Sequence, residues 1–292
     1  MQSRGRRYLT SYLFLAPSFL FIVAFMYYPI SAALFYGFTN WNLASWKWIG
    51  LGNYVRLLHD PVIAVSLRNQ GILVLTDVLK VVVFPLLAAE LISLLKGTRS
   101  RYVFRTAFTL PMLVPGIVIY LLWSSIYDPT YGILNEFLKL IGLPHMTKAW
   151  TGDAGTALWA VIFMGFPFIS GLPFLLFYAA IGNFNADVIE AARMDGARNT
   201  RMFWKIHVPF LYPTFKVVII LTIIGSLQDV VKMIVLTKGG GPGIATMIPA
   251  LSMYLAAFSA SNYGYASAIG TCLFLLIVAL SIVNLRLFKS DV

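Results

Sequence analysis

The chain has 292 residues, 59% of them hydrophobic and only 11% charged. Soluble domains carry about 25% charged residues, so the composition excludes an ordinary soluble fold and points to an integral helical membrane protein. The net charge of +11 fits basic loops on the cytoplasmic side of a membrane better than nucleic-acid binding, and a single cysteine, Cys272, excludes an intrachain disulfide.

Crossing a hydrocarbon layer of roughly 30 Å takes a helix of about 20 apolar residues, and six runs come near that length. The first covers 10–38 and follows Arg4, Arg6 and Arg7. It is too long for a signal-peptide core, shows no convincing cleavage site, and reads as a helix that stays in the membrane. Pro17 and Pro29 mark possible kinks. A mixed stretch with Trp41, Trp46, Trp48 and Tyr54 follows, residues that favour the membrane–water interface. The second span covers 69–95 and the third 106–127, with a basic connection between them. A polar excursion, 128–156, carries Ile133, Phe137, Leu138 and Ile141 at helical spacing. The fourth span covers 157–181, the fifth 214–236 and the sixth 265–287. Glycines and a mixed stretch separate the last two.

Six spans place both termini on one side. The N-terminus, the 96–105 and 182–216 loops and the tail hold 14 Lys and Arg, against far fewer in the other loops (Lys47, Arg56, Lys139, Lys148 and Lys238 among them). The positive-inside bias therefore makes the termini and the 182–213 loop cytoplasmic.

That loop contains EAARMDGARNTRMFWKIHVPFLYP, from Glu190 to Pro213. Asp187 can cap a helix, with Glu190 completing a capping box. Gly196 supplies a positive φ that ends it. Asn199 or Thr200 can cap a second helix, which Pro209 closes. Met202, Phe203 and Ile206 give the second helix an apolar face, and Arg193, Arg198, Arg201 and Lys205 give the segment its charge. The pattern alone leaves three readings open: a solvated loop, a helix on the lipid surface, or a docking element for a partner.

Glu190-Ala191-Ala192, Asp195-Gly196-Ala197, Phe203, Ile206, Pro209 and Pro213 resemble the EAA loop of binding-protein-dependent ABC importer permeases. Gly50-Leu51-Gly52-Asn53-Tyr54, Arg105 with Leu110-Pro111 and Trp123, and Asp128-Pro129 with Gly132, Asn135 and Gly142-Leu143 are similar to the sugar-permease branch. So are Leu236-Thr237 with Gly239-Gly240-Gly241-Pro242, and Gly264-Tyr265-Ala266. The outer-loop glycine motif is more like the MalF-like subunit of that branch than its MalG-like partner. The resemblance implies an all-α, MetI-like type I importer fold in the cell membrane. It implies a subunit that is not an enzyme. ATP and Mg would be bound by a partner ATPase dimer, so this chain would hold no cofactor. A second permease chain, an extracytoplasmic solute-binding protein and a carbohydrate or polyol substrate are the other implied partners. The family's coupling role falls on Glu190, Ala191, Ala192, Asp195, Gly196, Ala197, Phe203, Ile206 and Pro209. Val230 and Val231 stand where the family often has an aromatic–acid pair, so no substrate contact carries over there.

Charges inside the spans are costly and need partners. Asp77 and Lys80 lie three apart in the second span, as do Asp229 and Lys232 in the fifth, so each pair shares a helix face. Counting from the outer ends puts the two pairs at similar depth. One reading is a structural cluster of four charges; the other puts Gln228, Asp229 and Lys232 on a solute path. Glu90, near the inner end of the second span, is expected to snorkel towards Lys96 or Arg99. The three histidines have no metal-ligand spacing, and no nucleotide-binding motif exists: the glycine run lacks the Lys-Ser/Thr of a phosphate loop. An ion-driven secondary transporter would need a midplane acid without a basic partner, and a membrane enzyme would need His, Asp or Cys clustered at one depth. Neither pattern is present. A permease for a non-sugar solute would share the EAA loop but not the outer-loop motifs.

Overall fold

The computed structural model describes residues 4–197 and 199–287, with side chains excepted at 4–11, 186 and 199. The side chains of Arg4, Arg6, Arg7 and Asn199, together with Arg198 and Lys289, therefore lie outside the described residues. The described chain is helical, with one isolated antiparallel bridge between Thr39 and Trp48.

Helix α1 runs from Arg4–Ile22 through a π turn, Val23–Tyr27, into Tyr28–Tyr36. Then come α2 (Gly52–His59) and α3 (Pro61–Ser93). Next are α4 (Thr98–Thr109, with a 3-10 turn Leu110–Leu113), α5 (Gly116–Ile126) and α6 (Ile133–Leu140). They are followed by α7 (Ala157–Phe163), α8 (Gly171–Gly182) and α9 (Ala186–Met194). Helix α10 joins Asn199–Met202, a π turn Phe203–His207 and Val208–Phe210. Last are α11 (Tyr212–Gln228), α12 (Val230–Thr237), α13 (Pro249–Phe258) and α14 (Tyr263–Leu287).

Three helices are long and apolar enough to cross a membrane: Tyr12–Tyr36, Pro61–Ser93 and Tyr263–Leu287. Three further pairs pass the same test together but are sharply bent, by 93° between α4 and α5 and by 67° between α10 and α11. The predicted third, fourth and fifth spans are each interrupted. The third breaks at Pro111 and Pro115, where proline removes a donor and disfavours α geometry in the residue before it. The fourth breaks between Phe163 and Gly171, and the fifth at Asp229. The second begins earlier than expected, at Pro61, and α13 lies in a stretch that carried no prediction.

Two of the prolines inside helices each come just after a wide turn. Tyr28 N–H donates to Val23 O, and Val208 N–H to Phe203 O, both five residues back. Pro29 and Pro209 follow directly. A proline ring clashes with the carbonyl four residues earlier, and a π turn moves that carbonyl away. Pro209 therefore does not close its helix, contrary to expectation; α10 continues to Phe210.

The contacts divide the chain into two compact units, 1–60 with 252–274 and 61–251 with 275–292. In the first, Asn53 donates from Nδ2 to Gly37 O (3.0 Å) and Thr39 O (2.8 Å). Gly264 N–H donates to Trp41 O at 2.9 Å. Tyr265 O–H donates to Asp60 at 2.7 Å, with Arg56 stacked on the Tyr265 ring. In the second unit, α3, α8 and α11 share a core of Leu86, Ala89, Ile92, Phe174, Phe177 and Phe215. Helices in lipid gain little from excluding water, so close packing and polar contacts must hold them. Asn69 supplies two such contacts, to Ala245 O (3.0 Å) and Met247 O (2.9 Å), and Gln70 a third, to Ser226 O (3.1 Å).

A Cβ on Gly264 would collide with the Thr39 carbonyl and the Trp41 amide. Gly264→Ala should cost about 1–3 kcal/mol, the usual range for overpacking. Thermal unfolding in detergent would show it, and an unchanged midpoint would contradict the tight approach.

Candidate functional site

Asp229 interrupts the fifth predicted span. Its backbone leaves the helical region (φ −80°, ψ 77°), and its side chain accepts the Lys232 amide at 3.2 Å, capping α12. Asp229 and Lys232 are neighbours through this cap, not through the helix face assumed from their spacing. The Tyr120 hydroxyl of α5 donates to Asp229 Oδ2 at 2.6 Å. Lys232 Nζ lies 4.0 Å from that oxygen and 3.7 Å from Asp77 Oδ2, with its side chain only 9% exposed.

Asp77, on α3, is the centre of the cluster. Lys80 Nζ is 2.7 Å from its Oδ1, and Ser226 Oγ donates to its Oδ2 at 2.8 Å. Lys80 also donates to Ile162 O at 2.9 Å. That carbonyl is near the end of α7, where helix carbonyls lose their internal partners and a lysine can satisfy them. The structure thus brings Asp77, Lys80, Asp229 and Lys232 together, two acids with two bases. They ring a cavity of about 780 Å³ that Trp123, Phe166 and Phe168 also line. Gln228 is not with them: its side chain is exposed, while Gly225, Ser226 and Asp229 line the cavity. Trp159 is exposed, and Tyr178 stacks on Phe174.

The Glu190–Pro213 segment forms two helices at a glycine turn. Asn185, not Asp187, caps α9: its extended backbone (φ −65°, ψ 122°) lets its side chain accept the Asp187 amide at 2.9 Å. Asp187 is left in the first turn, where an acid favours the helix dipole. At the other end Ala197 N–H donates to Ala192 O (2.9 Å) and Gly196 N–H to Arg193 O (3.0 Å). These two bonds around a left-handed residue form a Schellman motif, and Gly196 has φ +75°. Glu190, Ala191, Asp195 and Pro209 are exposed, as is Met194 (88%). Ala192, Ala197 and Ile206 are half-buried, Met202 is buried, and Phe203 packs against the α3–α8–α11 core.

Glu90 does not reach for Lys96 or Arg99. It lies 2.8 Å from His207 Nδ1, with both side chains largely buried. A partner 117 positions away in the chain engages its Oε1 without the entropy cost of extending to solvent.

Residues 81–290 match the family model described as "Binding-protein-dependent transport system inner membrane component". The chain belongs to this family. Among its relatives, the "Probable ABC transporter permease protein YurN" of Bacillus subtilis (strain 168) is 37% identical over 282 residues, covering 96% of each chain. The "Multiple sugar-binding transport system permease protein MsmF" of Streptococcus mutans is 28% identical over 279 residues, covering 95% of this chain and 94% of that one. A chain in the crystal structure of a bacterial ABC transporter that imports the acidic polysaccharide alginate superposes with a TM-score of 0.84. It is 20% identical, with 97% of this chain and 96% of that chain covered, and it shows the same permease fold. The protein is therefore a permease component of the inner membrane.

Three permease contacts had no signal in the sequence: Tyr120 to Asp229, Ser226 to Asp77, and Glu90 to His207. Each joins residues more than 100 positions apart. A tyrosine or serine in an apolar run usually has a local or interfacial role, so nothing marked these.

Asp77→Asn leaves two buried lysines short of a charge. Breaking a buried pair in this way costs of order 3–5 kcal/mol. Tyr120→Phe removes one hydrogen bond to a charge, about 1.5–3 kcal/mol. Thermal unfolding of both variants in detergent checks the order of the two losses. A fully stable Asp77→Asn protein would mean that the cluster does not hold the helices.

Proposed function

We propose that the chain is one permease subunit of an ATP-driven importer for a carbohydrate or polyol, with the 182–213 loop as its coupling element. The observation that carries this reading is the helix–Gly196–helix unit. Its first helix ends in a Schellman turn with Met194 exposed, and its second is anchored in the core through Phe203. An element fixed on one side and exposed on the other can pass force between a partner and the bundle. The exposed apolar tip favours a protein groove over a solvated loop.

In this reading α1, α3 and α14 are spans and α4 with α5, α7 with α8, and α11 with α12 make three interrupted ones, giving six spans with both termini in the cytoplasm, as the distribution of Lys and Arg supports. ATP and Mg bind to a partner ATPase dimer, and this chain contributes no catalytic group. Two ATPase grooves require two coupling loops, so a second, MalG-like permease chain completes the core. A solute-binding protein delivers the substrate from outside. The family description includes dependence on a binding protein, and a structural neighbour was crystallised with an alginate pentasaccharide-bound periplasmic protein. The sugar-transport names of relatives, among them a diacetylchitobiose uptake permease, support the carbohydrate assignment.

The 780 Å³ cavity is the candidate solute path. Its aromatic walls and paired charges suit a polyhydroxylated solute, which stacks its C–H faces on rings and exchanges hydrogen bonds with charged groups. In this reading Asp229 and Lys232, which line the cavity, belong to the path, and Gln228, which does not line it, is left out.

A Cβ at Gly196 would meet nothing within 4 Å, so only its backbone conformation restricts substitution. The left-handed region costs most L-residues about 1–2 kcal/mol, and a β-branched residue suffers most. Gly196→Val should cut transport at least tenfold while the chain still inserts, and Gly196→Asn should retain most of it. Equal transport by the two variants would remove the coupling assignment. For the substrate class, a strain lacking this chain should lose growth on one or more oligosaccharides in a panel of carbon sources. Loss confined to amino acids or peptides would overturn the carbohydrate reading.

A further inference from the structure

Glu90 and His207 take no part in the mechanism so far, yet they join its moving element to its longest helix. His207 ends the π turn of α10, and Glu90 lies near the inner end of α3. Their side chains meet at 2.8 Å and are 9% and 12% exposed. Phe184 covers the imidazole, ring centroids 4.6 Å apart.

The contact is half complete. A carboxylate has two oxygens and about four acceptor sites. Glu90 Oε1 faces His207, while Oε2 is buried without a hydrogen-bond partner among the described residues. A buried polar atom left unmade is costly, and a carboxylate oxygen more so. Beside this pair is a cavity of about 290 Å³. Glu90 and His207 line one part of it, and Glu190 and Arg193 of α9 another. Among the described residues Arg193 is the only Lys or Arg on that lining, and guanidinium is the best partner for a carboxylate already held at one oxygen.

We propose that Glu90 is the positioning residue that transmits the coupling loop's motion to α3. In one state its carboxylate holds His207 alone. In the other, α9 swings across the cavity and Arg193 takes the second oxygen. The cavity gives the room for this movement, and the unmade bond favours it. A ligand that moves α9 therefore changes the contacts of α3 directly, which is what a two-state device requires. The proposal rests on reading 182–213 as the coupling loop.

The test uses the importer assembled with its ATPase partner in lipid nanodiscs. With Cys272→Ser as background, Glu90→Cys and Arg193→Cys should be joined by a short bis-methanethiosulfonate cross-linker, whose spacer replaces the two long side chains, in one nucleotide condition, ATP with vanadate or nucleotide-free, and at least fivefold less in the other. Arg193→Ala and Glu90→Gln should each change the ATP hydrolysis rate about fivefold. The double variant should be no worse than either single one, and Arg193→Lys should restore part of the rate. Arg193 is exposed, so its variants fold even if Glu90→Gln does not. A cross-link indifferent to nucleotide, or losses that multiply in the double variant, would overturn the joint. Gly196→Val separates the two ideas. If it uncouples transport while Arg193→Ala changes nothing, only the joint fails. If Gly196→Val transports normally, the coupling reading itself fails.

Discussion

A charge in hydrocarbon must be matched by its neighbours, and much of the second unit is arranged around that need. Asp77 holds two lysines and a serine hydroxyl drawn from α3, α11 and α12. Lys80 extends the network to the end of α7, and Asp229 extends it to Tyr120 on α5. Interruptions in membrane helices are tolerated where other groups satisfy the freed backbone. Here the charges do so: Lys80 takes a carbonyl at one interruption, and Asp229 takes an amide at another. The cluster and the broken helices are thus one feature. Removing the interruptions would strand the charges, and removing the charges would leave backbone groups unpaired in lipid.

How much of this could be read in the sequence depended on distance along the chain. The Gly196 turn was legible because a left-handed residue after a helix is a local event. The short helix Ile133–Leu140 was legible from its apolar spacing. The i, i+3 charge pairs were legible as neighbours, though for the second pair the reason differs, since Asp229 caps a new helix. The cap at Asn185 was misplaced by two residues because Asp187 is also a good capping type, and only backbone geometry separates them. Pro209 was read as a stop, but the π turn before it is invisible in composition. Helix α13 has only ten residues and no span-like run. The partners Tyr120 and His207 are set by packing, which no local pattern encodes.

The outer-loop motifs that carried the family resemblance turn out to have structural reasons. Asn53 of the Gly50–Tyr54 motif ties down two carbonyls after α1. Gly264 has room for no side chain, and Tyr265 beside it holds Asp60. In the glycine run, Gly239 and Gly240 have φ of 90° and 96°, and the Thr246 hydroxyl bonds both Thr237 and Gly241. These residues hold loops in shape. The resemblance they carry is therefore a statement about fold.

Helix α3 bears on both candidate sites. Asp77 and Lys80 lie on it at the cavity, and Glu90 lies 13 residues further along, about 20 Å at 1.5 Å per residue. A helix transmits displacement along its axis with little loss, because its backbone bonds are internally paired. Pro85, buried between the two sites, removes one such bond and gives α3 a place to flex. Motion entering at Glu90 can therefore reach Asp77 as a tilt of the upper segment. The Asp77–Lys232 contact is long, 3.7 Å, while Asp77–Lys80 is tight at 2.7 Å. A tilt of α3 would carry Asp77 and Lys80 together, keep their mutual contact and change their contacts to other helices, Asp77–Lys232, Asp77–Ser226 and Lys80–Ile162. The pair within one helix is then the rigid element of the cluster, and the pair between helices is the one that can respond to a movement of the 182–213 loop.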